Sequence, residues 1–176
     1  GFLQQAGLAN DFTVEEAATV QLDGLRVSST GVRNALGLAD FTLAEALLGR
    51  PFQIAGRVLH GQKLGRQLGA PTANIQLKRK RVPLTGVYLV SIELDGQVWP
   101  GAANIGVRPS VKSDGLAHLE VHLLDYAGDL YGRHLGVTFH RKLRDEQRFA
   151  SLDELKAAIA ADIAAARASW PGNHFQ

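Results

Sequence analysis

Cysteine is missing from this chain, and methionine with it. The first absence excludes a disulfide framework and any thiolate-ligated zinc site. The second extends to the first position, occupied by Gly1, so the sequence is expected to be a trimmed piece of a longer protein. No apolar run approaches the roughly 20 residues of a membrane-spanning helix. With no signal-like opening segment either, a cytoplasmic protein is the default expectation. Aromatic residues are scarce at 7%, few for a protein that stacks nucleobases along a groove. Nor does one sign of charge dominate: the net charge is +2 and the pI near 9.1, which suits an anionic ligand without indicating a nucleic acid. What remains is ordinary for a globular protein, 176 residues with 45% hydrophobic and 20% charged. That is enough for one packed domain of about 100 to 150 residues and an appendage.

The pattern changes near Pro51. Before it the signals are helical: Thr42 with Glu45 reads as a capping box, Leu43, Ala46 and Leu47 make an apolar stripe, and Gly49 followed by Pro51 ends the run. After it the period becomes two. Residues 52–59 form one candidate strand, and in 87–94 Tyr88, Val90, Ile92 and Leu94 share a face. Asp95-Gly96 is a hairpin turn into Val98 and Trp99. Leu119, Val121 and Leu123 alternate in the same way, as do Leu135, Val137 and Phe139, with a turn at 125–128 between them. Antiparallel strands this close in sequence predict a small barrel or sandwich. The chain then ends in a helix: Ser151 and Glu154 form a capping box, and Leu152, Leu155, Ile159, Ile163 and Ala166 recur at helical spacing until Pro171-Gly172. There is no internal repeat.

Two places carry chemistry. Residues 61–74 read GQKLGRQLGAPTAN. Gly61, Gly65 and Gly69 let the backbone approach a ligand, Lys63 and Arg66 bring positive charge, and Thr72 and Asn74 follow with side-chain oxygens. A nucleotide phosphate and its magnesium ion need those parts, although the spacing is not that of a P-loop; a plain surface loop ending in a proline turn has the same composition. In the strand 118–124, alternation places His118, Glu120 and His122 together, opposite Leu119, Val121 and Leu123. Three readings stand beside one another: a solvated polar face, a His-Glu-His metal cluster, and a general base Glu120 with incidental histidines. A phosphate loop and a Thr/Asn corner need only one carboxylate to make the smallest outfit for phosphoryl transfer to an alcohol.

The succession GRVLHGQKLGRQLGAPTAN (56–74), GVYLV (86–90), NIGVRPS (104–110), LEVHLLDYAGDLYG (119–132) and LRDEQRFASLDEL (143–155) closely resembles the riboflavin kinase module of bacterial bifunctional riboflavin kinase/FAD synthetases. The resemblance covers about residues 50 to 169. VSSTGVR (27–33) is similar to the element that ends the adenylyltransferase domain of those enzymes, with Gly31 where the family usually has arginine. Taken alone, Ser28, Ser29 and Thr30 would be a helix N-cap.

The resemblance implies a mainly β fold, a six-stranded antiparallel riboflavin-kinase-type barrel with a C-terminal α-helix. Residues 50–176 would be the kinase domain, and 1–49 a short helical remnant of a Rossmann-like FMN adenylyltransferase domain with its linker. The reaction implied is phosphorylation of riboflavin at its ribityl 5′-hydroxyl by ATP, giving FMN and ADP. No histidine stands in an HxGH-type motif, so FAD synthesis is expected of an intact parent, not of these residues.

By the same resemblance Glu120 is the catalytic base, and Thr72 and Asn74 bind the magnesium of ATP-Mg. Gly61, Lys63, Gly65, Arg66, Gly69, Thr72, Asn74, Asp125 and Tyr131 belong to the nucleotide site. Leu143, Arg144, Glu146 and Phe149 border the flavin, and Asn104 and Arg108 lie in a flap. The partners are then riboflavin, ATP and the missing adenylyltransferase half, with neither nucleic acid nor membrane. Two alternatives are kept: a metal-dependent barrel enzyme built on His118, Glu120 and His122, and a nucleic-acid module marked by Lys78-Arg79-Lys80-Arg81, which lacks aromatics within the run.

Overall fold

The computed structural model describes residues 1–15, 18–60, 70–77, 82–107 and 117–171. The basic run 78–81 lies outside them. Helix α1 (Phe2–Ala9) opens the chain, followed by a two-strand hairpin, β1 (Gln21–Leu22) and β2 (Leu25–Arg26). Helices α2 (Ser29–Gly37) and α3 (Phe41–Leu48) come next. Six strands follow: β3 (Gln53–Leu59), β4 (Ala73–Ile75), β5 (Gly86–Leu94), β6 (Gln97–Val107), β7 (Ala117–Leu123) and β8 (His134–Arg144). They close into an antiparallel barrel in the order β3-β4-β7-β6-β5-β8, the architecture expected from the sequence. Helix α4 (Leu152–Ser169) completes the chain.

Period-two alternation builds the barrel interior. Tyr88, Val90, Ile92, Leu119, Val121, Leu135, Val137 and Phe139 are all buried in one cluster, because successive side chains of a strand point to opposite faces. The β5–β6 turn places Asp95 at φ 54° and Gly96 at φ 79°, the left-handed pair that matches the twist of a two-residue hairpin. β5 departs from simple alternation: Val87, Leu89 and Ser91 are buried as well. The reason is α4. Its Ala166 and Ile163 pack on Leu89, Ala102, Leu124 and Leu143 in a second cluster outside the barrel.

Helices α2 and α3 join the interior cluster through Ala35, Leu36, Phe41 and Ala44. The Phe41 ring stacks on Phe139 at 6.2 Å and meets Tyr88 edge-on at 5.8 Å. Ser28 caps α2 by accepting the Gly31 N–H, which is the ordinary use of a serine before a helix. For α3 the expected cap is corrected. Asp40 accepts the Leu43 N–H at 2.9 Å, so Thr42 lies inside the helix, and the buried stripe is Phe41, Ala44 and Leu47 with Ala46 exposed. Gly49 ends α3 at φ 71°, as its freedom from a Cβ clash permits.

Ser151 caps α4, accepting the Glu154 N–H at 3.2 Å, while Glu154 reaches back to the Ala150 N–H. Leu152, expected in the packed stripe, is 63% exposed; it stands in the first turn, ahead of the part of α4 that meets the barrel. Two forked ion pairs fasten the helix. Arg144 of β8 holds Asp162 through two bonds of 2.7 Å, and Arg167 holds Asp125, just beyond β7, through two of 2.8 Å.

Asp162→Ala strands the Arg144 guanidinium beside the barrel and is expected to lower unfolding stability by about 3 kcal/mol, as loss of one partner of a largely buried pair does; denaturant midpoints measure it. Tyr88 gives a pH test. Its hydroxyl donates to the Thr85 carbonyl at 2.8 Å, and burial raises its pKa above the ordinary tyrosine value, partly opposed by Lys142. The folded state therefore keeps a proton that the unfolded chain releases near pH 10, so stability falls as pH rises through about 10. Tyr88→Phe is expected to flatten that fall in urea midpoints measured from pH 8 to 11.

Candidate active site

Strand β7 lies between β4 and β6, and its register sets the site. Ala73 faces Val121, Asn74 faces Glu120 and Ile75 faces Leu119. On the other side Asn104 faces Glu120 and Gly106 faces His118. Because Ala73, Ile75, Ala103, Ile105, Leu119 and Val121 all point into the core, Asn74, Glu120 and Asn104 share the outer face. They form one cross-strand row, in which directly opposed Cβ atoms stand about 4.5 to 5.5 Å apart. All three are half-buried, and the Asn104 Oδ1 is buried with no hydrogen-bond partner among the described residues. A bare buried acceptor costs roughly 1 to 3 kcal/mol.

Next to the row is a cleft of about 140 Å³ between the corner Pro71, Thr72, Ala73 and the loop holding Tyr126, Leu130 and Tyr131. Val121 and Leu123, on the inner face of β7, line its floor. Thr72 is thus brought to the cleft and, two residues on, Asn74 to the carboxylate. Tyr131 stacks on His60 with ring centroids 3.9 Å apart, and Trp99 supports Tyr126 edge-on at 5.1 Å. Sequence reasoning named Tyr131 but missed His60 and Tyr126. Two tyrosines in the run 125–131 were the signal available for Tyr126, whereas His60 gains its place only from the β3–β8 pairing that brings the two loops together.

Other expected residues are placed differently. Asp125 does not open onto the cleft: Arg167 occupies both its oxygens, and that hydrogen bonding holds its carboxyl below the usual carboxylate range. Arg144 turns to Asp162 and lies 5.7 Å from the centre of the Phe149 ring. Leu143 packs toward α4. Of the four residues expected beside a flavin, Glu146 reaches β6 near the row. Its carboxylate lies against Gly106, two residues along β6 from Asn104 and across from His118. Gly61, Lys63, Gly65, Arg66, Gly69 and Arg108 fall outside the described residues.

The three-residue motif of β7 does not form a metal centre among the described residues, where no group of three His, Asp or Glu side chains is poised to hold an ion. His122 turns its Nδ1 to the Pro71 carbonyl at 2.9 Å.

Thr72 at the cleft and Asn74 opposite the Glu120 carboxylate bring together the residues expected from the sequence for phosphoryl transfer. Comparison with known proteins decides the family. The model of the family described as "Flavokinase: Riboflavin kinase" matches residues 48–170. The chain belongs to the riboflavin kinase family. It is 77% identical to the bifunctional riboflavin kinase/FMN adenylyltransferase of Pseudomonas fluorescens over 95% of this chain and 54% of that protein. To the enzyme of the same name from Escherichia coli K12 it is 53% identical, over 94% of this chain and 53% of the relative. It therefore spans about half the length of the curated relatives it matches. Among solved structures, one described as a macrolide-efflux protein from Streptococcus pneumoniae superposes with a TM-score of 0.74 at 32% identity, over 95% of this chain and 55% of that one. That description belongs to the other protein. In this chain no described helix is long and apolar enough to cross a membrane. The matched residues 48–170 include all six strands of the barrel.

Gly106 provides a local check. A Cβ there would collide with the Glu146 carboxylate, the movable end of a flexible side chain. Gly106→Ala is expected to displace Glu146 and weaken riboflavin binding several-fold while leaving the melting temperature nearly unchanged; riboflavin titration by fluorescence and a thermal melt measure the two.

Proposed function

We propose that ATP occupies the cleft beside Thr72 with its phosphates directed around the Pro71–Ala73 corner, and that riboflavin lies over the outer row with its ribityl 5′-hydroxyl toward Glu120. The observation that carries this reading is the direct opposition of Asn74 and Glu120 next to a cleft that Thr72 lines. Glu120 takes the hydroxyl proton, the alcohol oxygen bonds to the γ-phosphorus, and the bond to the β-phosphate oxygen breaks to release ADP. Positioning and charge neutralisation supply most of the acceleration in such a transfer, and a general base typically adds about 10²- to 10⁴-fold.

Thr72 and Asn74 offer side-chain oxygens, the hard donors that magnesium prefers. An ion held there with ATP would neutralise phosphate charge. The glycines at 61, 65 and 69, with Arg66 and more loosely Lys63, are assigned to the phosphates, since backbone N–H groups freed by glycine and a guanidinium both suit oxyanions. Tyr131, presented with His60 at the cleft mouth, is assigned to the base of the nucleotide. On the flavin side the assignment centres on Glu146 with Phe149; Arg144 and Leu143 support that segment from beneath. Arg108 is assigned to a flap on the flavin side, while Asn104, expected there too, is held in β6 opposite Glu120 and is assigned to the row itself.

Residues 1–49 are assigned to the end of an adenylyltransferase half, the partner of this domain in a protein that goes on to convert FMN to FAD. A cytoplasmic location accords with the supply of ATP.

Incubating the chain with riboflavin, ATP and magnesium and separating the products by chromatography tests the reading: FMN is expected without FAD, and no FMN rejects it. Glu120→Gln is expected to lower kcat by at least about 100-fold with ATP affinity retained. A variant with near-parental kcat would remove Glu120 from the base role.

A further inference from the structure

His122 stands apart from the metal reading and from the proton transfer, yet its ring is held in one orientation. Its Nδ1 lies 2.9 Å from the carbonyl oxygen of Pro71. A carbonyl only accepts, so Nδ1 carries the hydrogen and donates it. The pairing of β4 with β7 begins at Ala73 opposite Val121. Pro71 and Thr72 therefore precede the ladder, and the imidazole supplies the cross-strand tie that the ladder gives to the residues after them. Because the Pro71 carbonyl is part of the peptide joining Pro71 to Thr72, holding that oxygen fixes the peptide plane, and with it the φ axis from which the Thr72 side chain departs. Asp125 lies within electrostatic reach of His122 and is clamped by Arg167 of α4.

We propose that His122 is a positioning residue for the phosphoryl transfer: by donating to the Pro71 carbonyl it holds the corner that aims Thr72 at the cleft and Asn74 at Glu120. The proposal rests on the kinase reading. It assigns two of the three outward polar residues of β7 to separate tasks, Glu120 to the proton and His122 to the corner across which the phosphate must lie.

Three variants of the full chain test it, with FMN formation measured while MgATP and riboflavin are varied in turn. His122→Leu removes the donor and is expected to raise KM for MgATP about 3- to 10-fold, the effect of losing one net hydrogen bond, with KM for riboflavin unchanged. His122→Asn places an amide N–H close to the position of the imidazole Nδ1–H and is expected to recover most of the loss. His122→Gln, whose amide extends past that position, is expected to behave like the leucine variant; it takes that variant's place in the comparison if leucine impairs folding. A parental KM for MgATP in both leucine and glutamine variants overturns the proposal. So does a parallel rise of both KM values with a lowered melting temperature, which a merely structural histidine would give, or an asparagine variant no better than glutamine. A wild-type chain that forms no FMN overturns the kinase reading and this proposal with it, whereas parental kinetics in the variants of an active chain overturn the His122 assignment alone.

Discussion

The three-residue strand β4 is the constraint on which the site depends. It joins β3 through two residue pairs and β7 through three, and these short ladders close the barrel. A strand so short has little backbone pairing with which to hold its register, so side chains must do it. Ala73 and Ile75 are buried in the core cluster, and a slip of one residue would turn both to solvent while driving Asn74 into the apolar interior. That cost fixes Asn74 opposite Glu120. The chemistry of the site thus follows from apolar burial on the opposite side of the same strands.

A second layer of order comes from α4. Its two ion pairs are alike in geometry but unequal in environment. Arg167 and Asp125 are both about half exposed, at 45% and 47%, where solvent screening leaves little net stabilisation. Arg144 and Asp162 are at 23% and 12%, where breaking the pair leaves a poorly solvated charge. The first pair is better understood as a local fastening at the end of β7, beside the cleft loop; the second anchors the helix. In both pairs a residue from a segment expected to meet a ligand, Asp125 or Arg144, turns its side chain to the scaffold.

How much of this was legible in the sequence divides along physical lines. Alternation in 87–94, 119–123 and 135–139 gave the barrel strands, and Asp95-Gly96 gave their turn, since both signals are local. The same alternation brought Glu120 outward. What it could not give is which strand lies beside β7, because pairing is a long-range property; the Asn74–Glu120–Asn104 row needed the closed sheet. Thr42 was mistaken for a cap because Asp40, two residues earlier, offers a carboxylate at the true helix start. Leu152 fitted the helical period but falls in a turn that no strand covers. The second burial face of β5 was invisible for the converse reason, since α4 supplies it from more than 50 residues away. The roles carried over from the family sorted Asp125 and Arg144 with the ligands, and nothing in their own neighbourhood names the acceptors and donors on α4 that engage them.

Strand β7 also divides the proposed reaction in space. Val121 and Leu123 line the cleft floor, while Glu120 and His122 point the other way, so a nucleotide in the cleft and a base on the outer face lie on opposite sides of one sheet. A phosphate chain can connect them only by passing around the edge where the Pro71–Ala73 corner precedes the ladder. Such an arrangement favours transfer over hydrolysis: the base sits away from the nucleotide's bulk and is presented to whatever alcohol occupies the outer row, so an acceptor must be in place before the deprotonating group and the terminal phosphate share a neighbour. It also makes geometry at the corner count more than the strength of any single contact, since a small misplacement of a reacting atom can cost about 100-fold in rate. A proline within the bend, and a strand that starts directly after it, are a physical answer to that demand.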